Sequence, residues 1–531
     1  MDVVLRGALV ADGTGDAMTR HDVGITGDRI ASVAEAGSLD GRRNIDTDGL
    51  VLAPGFIDMH SHSDLQLLAN PDHPAKITQG VTTEVLGQDG LSYAPVDDAV
   101  LEALRQQLAG WNDDPPGFDW NWRSVGEYLD RLDQGVAVNA AYLVPQGTVR
   151  MLAVGWDDRP ATDAELTRMK ELVATGLAEG AMGMSSGLTY TPGMYAETEE
   201  LVELCRVVGE LGGFYSPHHR SYGKGALEAF AEMIDVSRRS GCPLHLAHAT
   251  MNFSVNKGKA PDLLKLLDDA LDDGCDISLD TYPYLPGATY LSALLPSWAT
   301  EGGLEATLTR LSDVDERERI RAEIEESGSD GAHGVPIDWD AIEINGVRND
   351  HNSHLVGHSV AASAAKHNVA PANLYFDTLL DEKLGTSCLM HVGHEENVQA
   401  IMRHRTHTGG SDGLLVGARP HPRAWGTFPR YLARYVRELG VLDLAECVAH
   451  LTGRAAQRLR LTDRGLVRAG YAADLVLFDP DAVADTATFD DPRQPAAGIT
   501  HVFVNGVAAL DDGRPTGALA GRSLRNPGRA R

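Results

Sequence analysis

The chain has 531 residues, 43% of them hydrophobic and 23% charged, a balance that fits a soluble globular protein with one large domain and a smaller one. Its formal net charge of −30 repels nucleic acid and anionic membrane surfaces, and both are discounted as partners. Five cysteines with no CxxC spacing argue against a disulfide framework or a zinc–thiolate site, and for a reducing, cytoplasmic compartment. An anionic small molecule remains compatible with the charge, because one local arginine can reverse the field inside a cleft.

The opening, "MDVVLRGALVADGTG", lacks the basic start and long apolar core of a signal peptide. No apolar run approaches the ~20 residues of a membrane span. Residues 1–55 predict short strands broken by Gly and Asp, and residues 465–515 have the same texture. The two ends are therefore expected to form one small β-domain. The closing "GRSLRNPGRAR" is basic and polar and is expected to fray.

Residues 56–464 alternate strand-like and helix-like segments. The candidate strands are 55–62, 82–87, 138–144, 181–186, 212–219, 243–248, 276–284 and 407–412. Amphipathic helices separate several of them, such as "DAELTRMKELVATGLAEG" and "PDLLKLLDDALDDG". Eight such units predict an α/β fold of the (β/α)8 TIM-barrel type. The stretch before the last strand is too long for a loop, which predicts an inserted subdomain at 286–350, placed to act as a lid. Within it, "ATYLSALLPSW" suits either a pocket wall or an interface in a homo-oligomer. A doubly wound open sheet is the alternative, disfavoured because no GxGxxG opens a helix.

In a TIM barrel the chemistry sits where strands end. The first strand ends in His60-Ser-His62, and residues two apart on a strand face the same side. The second delivers Asp89, the fifth His218, the sixth His248 and the eighth Asp412. A lone strand-end histidine is usually structural, but the bland reading would have to repeat at each of these ends. Imidazole and carboxylate suit Zn²⁺, and a catalytic zinc activates water near neutral pH. Asp412 is placed to take a proton from that water and pass it to a leaving nitrogen. Arg423 offers a rigid guanidinium fork suited to a carboxylate, with a structural ion pair as the alternative.

Taken together, "PGFIDMHSHSD", "VTTEVLGQDGLS", "YSPHHRSYG", "LAHA", "DTYPYLPGATYLSALLP", "GGSDG" and "ARPHPRAWGTFPRYL" resemble the D-aminoacylase (N-acyl-D-amino-acid deacylase) branch of the amidohydrolase superfamily. The resemblance runs over about residues 3–510. It implies a TIM barrel flanked by a β-domain from both chain ends, and hydrolysis of an N-acyl-D-amino acid. It implies one or two zinc ions, with His218 and His248 at the tighter site and His60, His62 and Asp412 at the second. Asp412 would be the catalytic base. Arg423 and Tyr282 would hold the substrate carboxylate, and Tyr190 would line the pocket.

Two positions depart from the family pattern. The loop after the second strand commonly carries a metal-binding Cys in "GNCG", where this chain has "GQDG" with Asp89. A carboxylate can still ligate or bridge zinc, although it is harder than a thiolate. The family's "HHK" reads "HAT" here, with Thr250 in place of a carboxylate-binding lysine. Another linear amide, a cyclic amide, or a non-catalytic metal scaffold are the competing functions. The absence of a lysine at the end of the fourth strand argues against the cyclic one, and the retained HxH and Asp412 argue against the scaffold.

Overall fold

The computed structural model describes residues 1–526. Eight parallel strands form its centre: Phe56–Asp58, Val81–Leu86, Asn139–Pro145, Gly183–Gly187, Phe214–His218, Leu244–Leu246, Ile277–Thr281 and His407–Gly409. All eight are buried along their whole length. Strands covered on both faces have no solvent side, which is why they read as runs rather than alternations. Each pairs in parallel with the next in sequence order. The ring closes where Met59 N–H donates to the Gly409 carbonyl at 3.1 Å and Asp412 N–H to the His60 carbonyl at 2.8 Å. The fold is the TIM barrel the sequence predicts.

Helices cover the outside. Asp163–Ala178 starts at a capping box in which Thr162 and Glu165 satisfy each other's backbone N–H groups. Ala226–Ser240 ends at Gly241, whose φ of 70° is the left-handed cap that favours glycine. Among the described residues, no helix is long and apolar enough to cross a membrane.

The two chain ends meet in a nine-stranded sheet. Its seam is Val51–Pro54 running antiparallel to Leu475–Phe478. Leu5, Ile25, Leu52, Leu475 and Phe503 form its apolar core. The first barrel strand leaves this sheet almost directly, so the sheet anchors the segment that carries His60 and His62.

Between the seventh and eighth barrel strands the chain builds a four-stranded sheet from Gly287–Tyr290, Ile342–Gly346, His358–Ser359 and Ser387–Met390. Gly287–Tyr290 pairs with Ser387–Met390, which ties the start of this unit to its end. It has its own core, including Leu291, Leu294, Tyr375 and Phe376. In "ATYLSALLPSW", Leu291, Leu294 and Leu295 are buried in that core, and Ala293, Leu294 and Leu295 also line the cavities described below.

Two expectations are corrected. The first strand stops at Asp58 rather than continuing to residue 62, so His60 and His62 sit on the turn beyond it. The chain must bend there to let Asp412 pair with the His60 carbonyl. The expected fraying of the C-terminal tail does not occur at 521–526: Gly521 N–H donates to the Val136 carbonyl at 2.8 Å and Leu524 N–H to Ala140 at 2.7 Å. A side chain at 521 would strike the Val138 carbonyl, so glycine allows that approach. The last five residues of the predicted tail lie outside the described residues.

Candidate metal centre

The predicted ligand residues converge at one end of the barrel. His62 Nε2 lies 3.4 Å from His60 Nε2, 3.2 Å from Asp412 Oδ1 and 3.5 Å from Asp89 Oδ2. His218 Nδ1 lies 3.1 Å from His248 Nε2 and 3.3 Å from Asp89 Oδ2, and His248 Nε2 is 3.4 Å from Asp89 Oδ1. All six residues are buried. They fall into two donor sets, His60–His62–Asp89–Asp412 and Asp89–His218–His248, with Asp89 common to both.

These spacings fit a metal. Four ligands at ~2.0–2.2 Å around a tetrahedral ion lie ~3.3–3.6 Å from each other, close to the contacts above. A cation between these buried ring nitrogens and the carboxylates would satisfy all of them together. Each Asp89 oxygen faces one histidine of either pair, Oδ1 at 3.5 Å from His60 and 3.4 Å from His248, Oδ2 at 3.5 Å from His62 and 3.3 Å from His218, so the carboxylate is shared between the two sets.

Asp89, His248 and Asp412 have φ values of 55°, 31° and 49°. This left-handed backbone is costly for a non-glycine residue, and such strain concentrates at functional sites. Here it turns each side chain back over the barrel mouth immediately after its strand.

Supporting groups orient the cluster. The Asp280 carboxylate accepts from the His248 N–H at 2.9 Å, pairs with His245 at 3.0 Å and lies 3.8 Å from His60 Nδ1. Burial opposes its ionisation, but the two histidines hold its carboxyl well below the usual range. Tyr222 OH meets His248 Nδ1 at 2.8 Å, and Thr189 Oγ1 meets His218 Nε2 at 2.7 Å. Such partners fix the ring orientation of metal-binding histidines. Sequence reasoning missed all three. Asp280 had a usable signal, since it stands two residues before Tyr282 and so shares its face.

A buried charge cluster lies beneath. Lys76 Nζ contacts Asp58 at 2.5 Å, Glu84 at 3.0 Å and Ser411 Oγ at 2.9 Å. Asp58 also accepts from the Ser411 N–H at 2.8 Å, so this cluster pins the turn that presents Asp412. Removing one partner of a buried ion cluster leaves uncompensated charge, at about 3–5 kcal/mol. Lys76→Met is expected to lose about that much unfolding free energy in urea titrations. An unchanged midpoint would show that the cluster does not anchor this turn.

On the substrate side, Arg423 is fully buried, with its guanidinium 4.4 Å over the Tyr282 ring and Nη2 2.9 Å from Asp412 Oδ2. That ion pair lacks hydrogen-bond alignment, and Nε, Nη1 and Nη2 all lack a hydrogen-bond partner. Burial pushes the Tyr282 phenol up to about 12, so it remains a donor. Burial also opposes ionisation of Asp412, but Arg423 and His62 override it and its carboxyl sits below the usual range. Tyr190 packs on His218 at 4.8 Å and meets Thr289 Oγ1 at 3.1 Å. Trp111, unmarked in the sequence, packs on His62 at 4.6 Å.

Asp412, Tyr282, Tyr190 and Trp111 line a cavity of about 70 Å³ that Thr250 also lines, and Arg423 reaches it only through its contacts with Asp412 and Tyr282. Lys257 and Lys259 are exposed and line none of it, so neither replaces the lysine missing at 250. Of the residues beside the fifth strand's end, His219 packs against Phe230 and Arg220 pairs with Glu232, both away from the cluster.

The amidohydrolase family model matches residues 43–509. The chain belongs to that family. This amidohydrolase is 35% identical to the D-aminoacylase of Alcaligenes xylosoxydans xylosoxydans over 526 residues, 98% of this chain and 97% of that one. It is 34% identical to the N-acyl-D-glutamate deacylase of the same organism, covering 99% of this chain and 96% of that one. Among solved structures, the N-acyl-D-glutamate deacylase of Bordetella bronchiseptica, complexed with zinc and a phosphonate mimic of the tetrahedral intermediate, superposes with a TM-score of 0.85 at 31% identity. That match covers 99% of this chain and 100% of the other. The amidohydrolase therefore sits on the D-aminoacylase branch.

Proposed function

We propose that this amidohydrolase cleaves the acyl group from N-acyl-D-amino acids, yielding a carboxylate and a D-amino acid. The observation that carries the reading is the pair of donor sets joined at Asp89, beside a buried arginine whose nitrogens lack hydrogen bonds. Zinc is the metal of the deacylase from Bordetella bronchiseptica, and the His/Asp donor set here suits it. His60, His62 and Asp412 would hold one ion and His218 and His248 the other, with Asp89 bridging. When bound, zinc supplies Lewis-acid activation of water and of the scissile carbonyl.

The remaining steps fall to the chain. Arg423 and Tyr282 receive the substrate carboxylate, which supplies the hydrogen-bond acceptors that the buried guanidinium nitrogens lack. Asp412 takes a proton from the attacking water and delivers it to the leaving nitrogen. The aromatic wall of Tyr190 and Trp111 excludes bulk water from the cluster. Preference for the D-enantiomer rests on the relatives. The fourth strand, Gly183–Gly187, ends without a lysine, which argues against a cyclic amide and favours a linear one.

The inserted four-stranded unit forms one wall of this cavity through Thr289, Ala293 and Met390, and we read it as the lid of the site. The five cysteines are all free thiols, which supports a reducing, cytoplasmic setting.

Metal content tests the ligand assignment. Zinc-loaded protein is expected to bind two ions per chain by elemental analysis, and Asp89→Ala to lose at least one of them. Full retention by that variant would remove Asp89 from the metal site.

A further inference from the structure

Beyond the Thr189–Ala293 wall lies a second cavity, of about 230 Å³ against about 70 Å³ over the metal cluster. Both residues line both cavities, so the two adjoin. Ala103 on the helix Asp98–Gln107, Met194 after the fourth strand, and Tyr290, Leu295 and Leu304 of the inserted unit supply much of its apolar lining. Its far end reaches the surface at Gly302 and Glu305, both exposed. Nothing in the mechanism above uses it.

Its position relative to the carboxylate site identifies the occupant. Tyr282 follows the seventh strand, and Arg423 contacts both it and Asp412 after the eighth. Thr189 follows the fourth strand, which the strand order places across the barrel from the eighth. In an N-acyl amino acid the carboxylate and side chain lie on the nitrogen side of the scissile bond, and the acyl group lies on the carbonyl side. With the carboxylate on Arg423 and the carbonyl over the histidines, the acyl group must leave towards Thr189 and Ala293. A chamber that reaches the surface and is lined by Ala103, Met194, Leu295 and Leu304 among polar Gln and Thr side chains offers an aliphatic chain apolar area to bury, which is favourable in proportion to that area.

We infer that this chamber binds the acyl chain of the substrate, and that the enzyme acts on N-acyl-D-amino acids carrying medium- or long-chain fatty acyl groups. The inference rests on the deacylase reading and narrows its substrate class. The reaction consumes one water: hydroxyl joins the acyl carbon, the C–N bond breaks, and the proton goes to nitrogen. The products are a fatty carboxylate and a free D-amino acid.

The test is kcat/KM for the N-acetyl, N-butanoyl, N-hexanoyl, N-octanoyl and N-decanoyl derivatives of one D-amino acid. Wild type is compared with Ala103→Phe and Leu304→Trp, which fill the chamber and line no part of the metal pocket. Wild-type kcat/KM is expected to rise roughly threefold per added methylene up to octanoyl. Each variant should lose at least about tenfold on octanoyl while its acetyl rate stays within about twofold. A wild-type rate that falls with chain length overturns the inference, even if neither variant folds. Folded variants that affect all chain lengths equally overturn it too. If acetyl substrates are cleaved and longer ones are not, the chamber assignment fails alone. If no substrate of any length is cleaved, the deacylase reading fails and the chamber assignment falls with it.

Discussion

Asp412→Asn is expected to keep its zinc and lose about three orders of magnitude in kcat. The loss follows from the proton path. Asp412 Oδ1 stands 3.2 Å from His62 Nε2, at the edge of the donor set, and Oδ2 faces Arg423 at 2.9 Å. No other carboxylate belongs to that donor set except Asp89, which already faces both histidine pairs. A positioned general base contributes about 10²–10⁴-fold. An amide is nearly isosteric but takes up no proton, and the remaining His and Asp ligands still hold metal. Kinetics paired with elemental analysis on the same preparation check both halves. Substantial turnover in a metal-replete variant would remove Asp412 as the base.

Arg423→Ala is expected to raise KM for carboxylate-bearing substrates by one to two orders of magnitude. A hydrogen bond to a charged group contributes about 1.5–3 kcal/mol, and a bidentate pair lies at the upper end. The effect should fall mainly on KM, because the contact to the carboxylate is present in ground and transition states alike. Arg423→Lys should rescue little, since an ammonium lacks the planar fork and its stacking on Tyr282. Thr250 lines the cavity without adding a charge, so Arg423 and Tyr282 are expected to carry this contact between them, which makes the expected effect large. An unchanged KM would mean that the carboxylate binds elsewhere or that the substrate has none.

Much of this site was legible in the sequence because barrel chemistry follows strand ends. His60, His62, His218, His248 and Asp412 each fall at the end of a predicted strand, and the structure brings all five together with Asp89. Asp89 was harder, since a Gly-flanked Asp in a loop also reads as a turn residue, and it does adopt a turn-like φ of 55°. Lys76 carried no signal at all. In "PDHPAKI" it looks like a solvated helix lysine, and only the approach of Asp58 and Glu84 from two strands turns it inward. Trp111 and the second chamber were invisible for a related reason. Both depend on the inserted unit packing over the barrel, a long-range contact with no local period. The tail misled because its composition is polar, whereas its backbone between 521 and 526 pairs with barrel segments.

Deacylation of N-acyl-D-amino acids releases a free amine, which can be measured directly. Zinc-loaded protein would be given matched N-acyl-D- and N-acyl-L-amino acids, with N-acyl amines lacking the carboxylate as a third set. The D-substrates are expected to turn over, with the L-series and the carboxylate-free amides slower by at least about 10²-fold. Turnover confined to amides without a carboxylate would contradict the deacylase reading, and would mark Asp89 and Thr250 as signs of a different substrate.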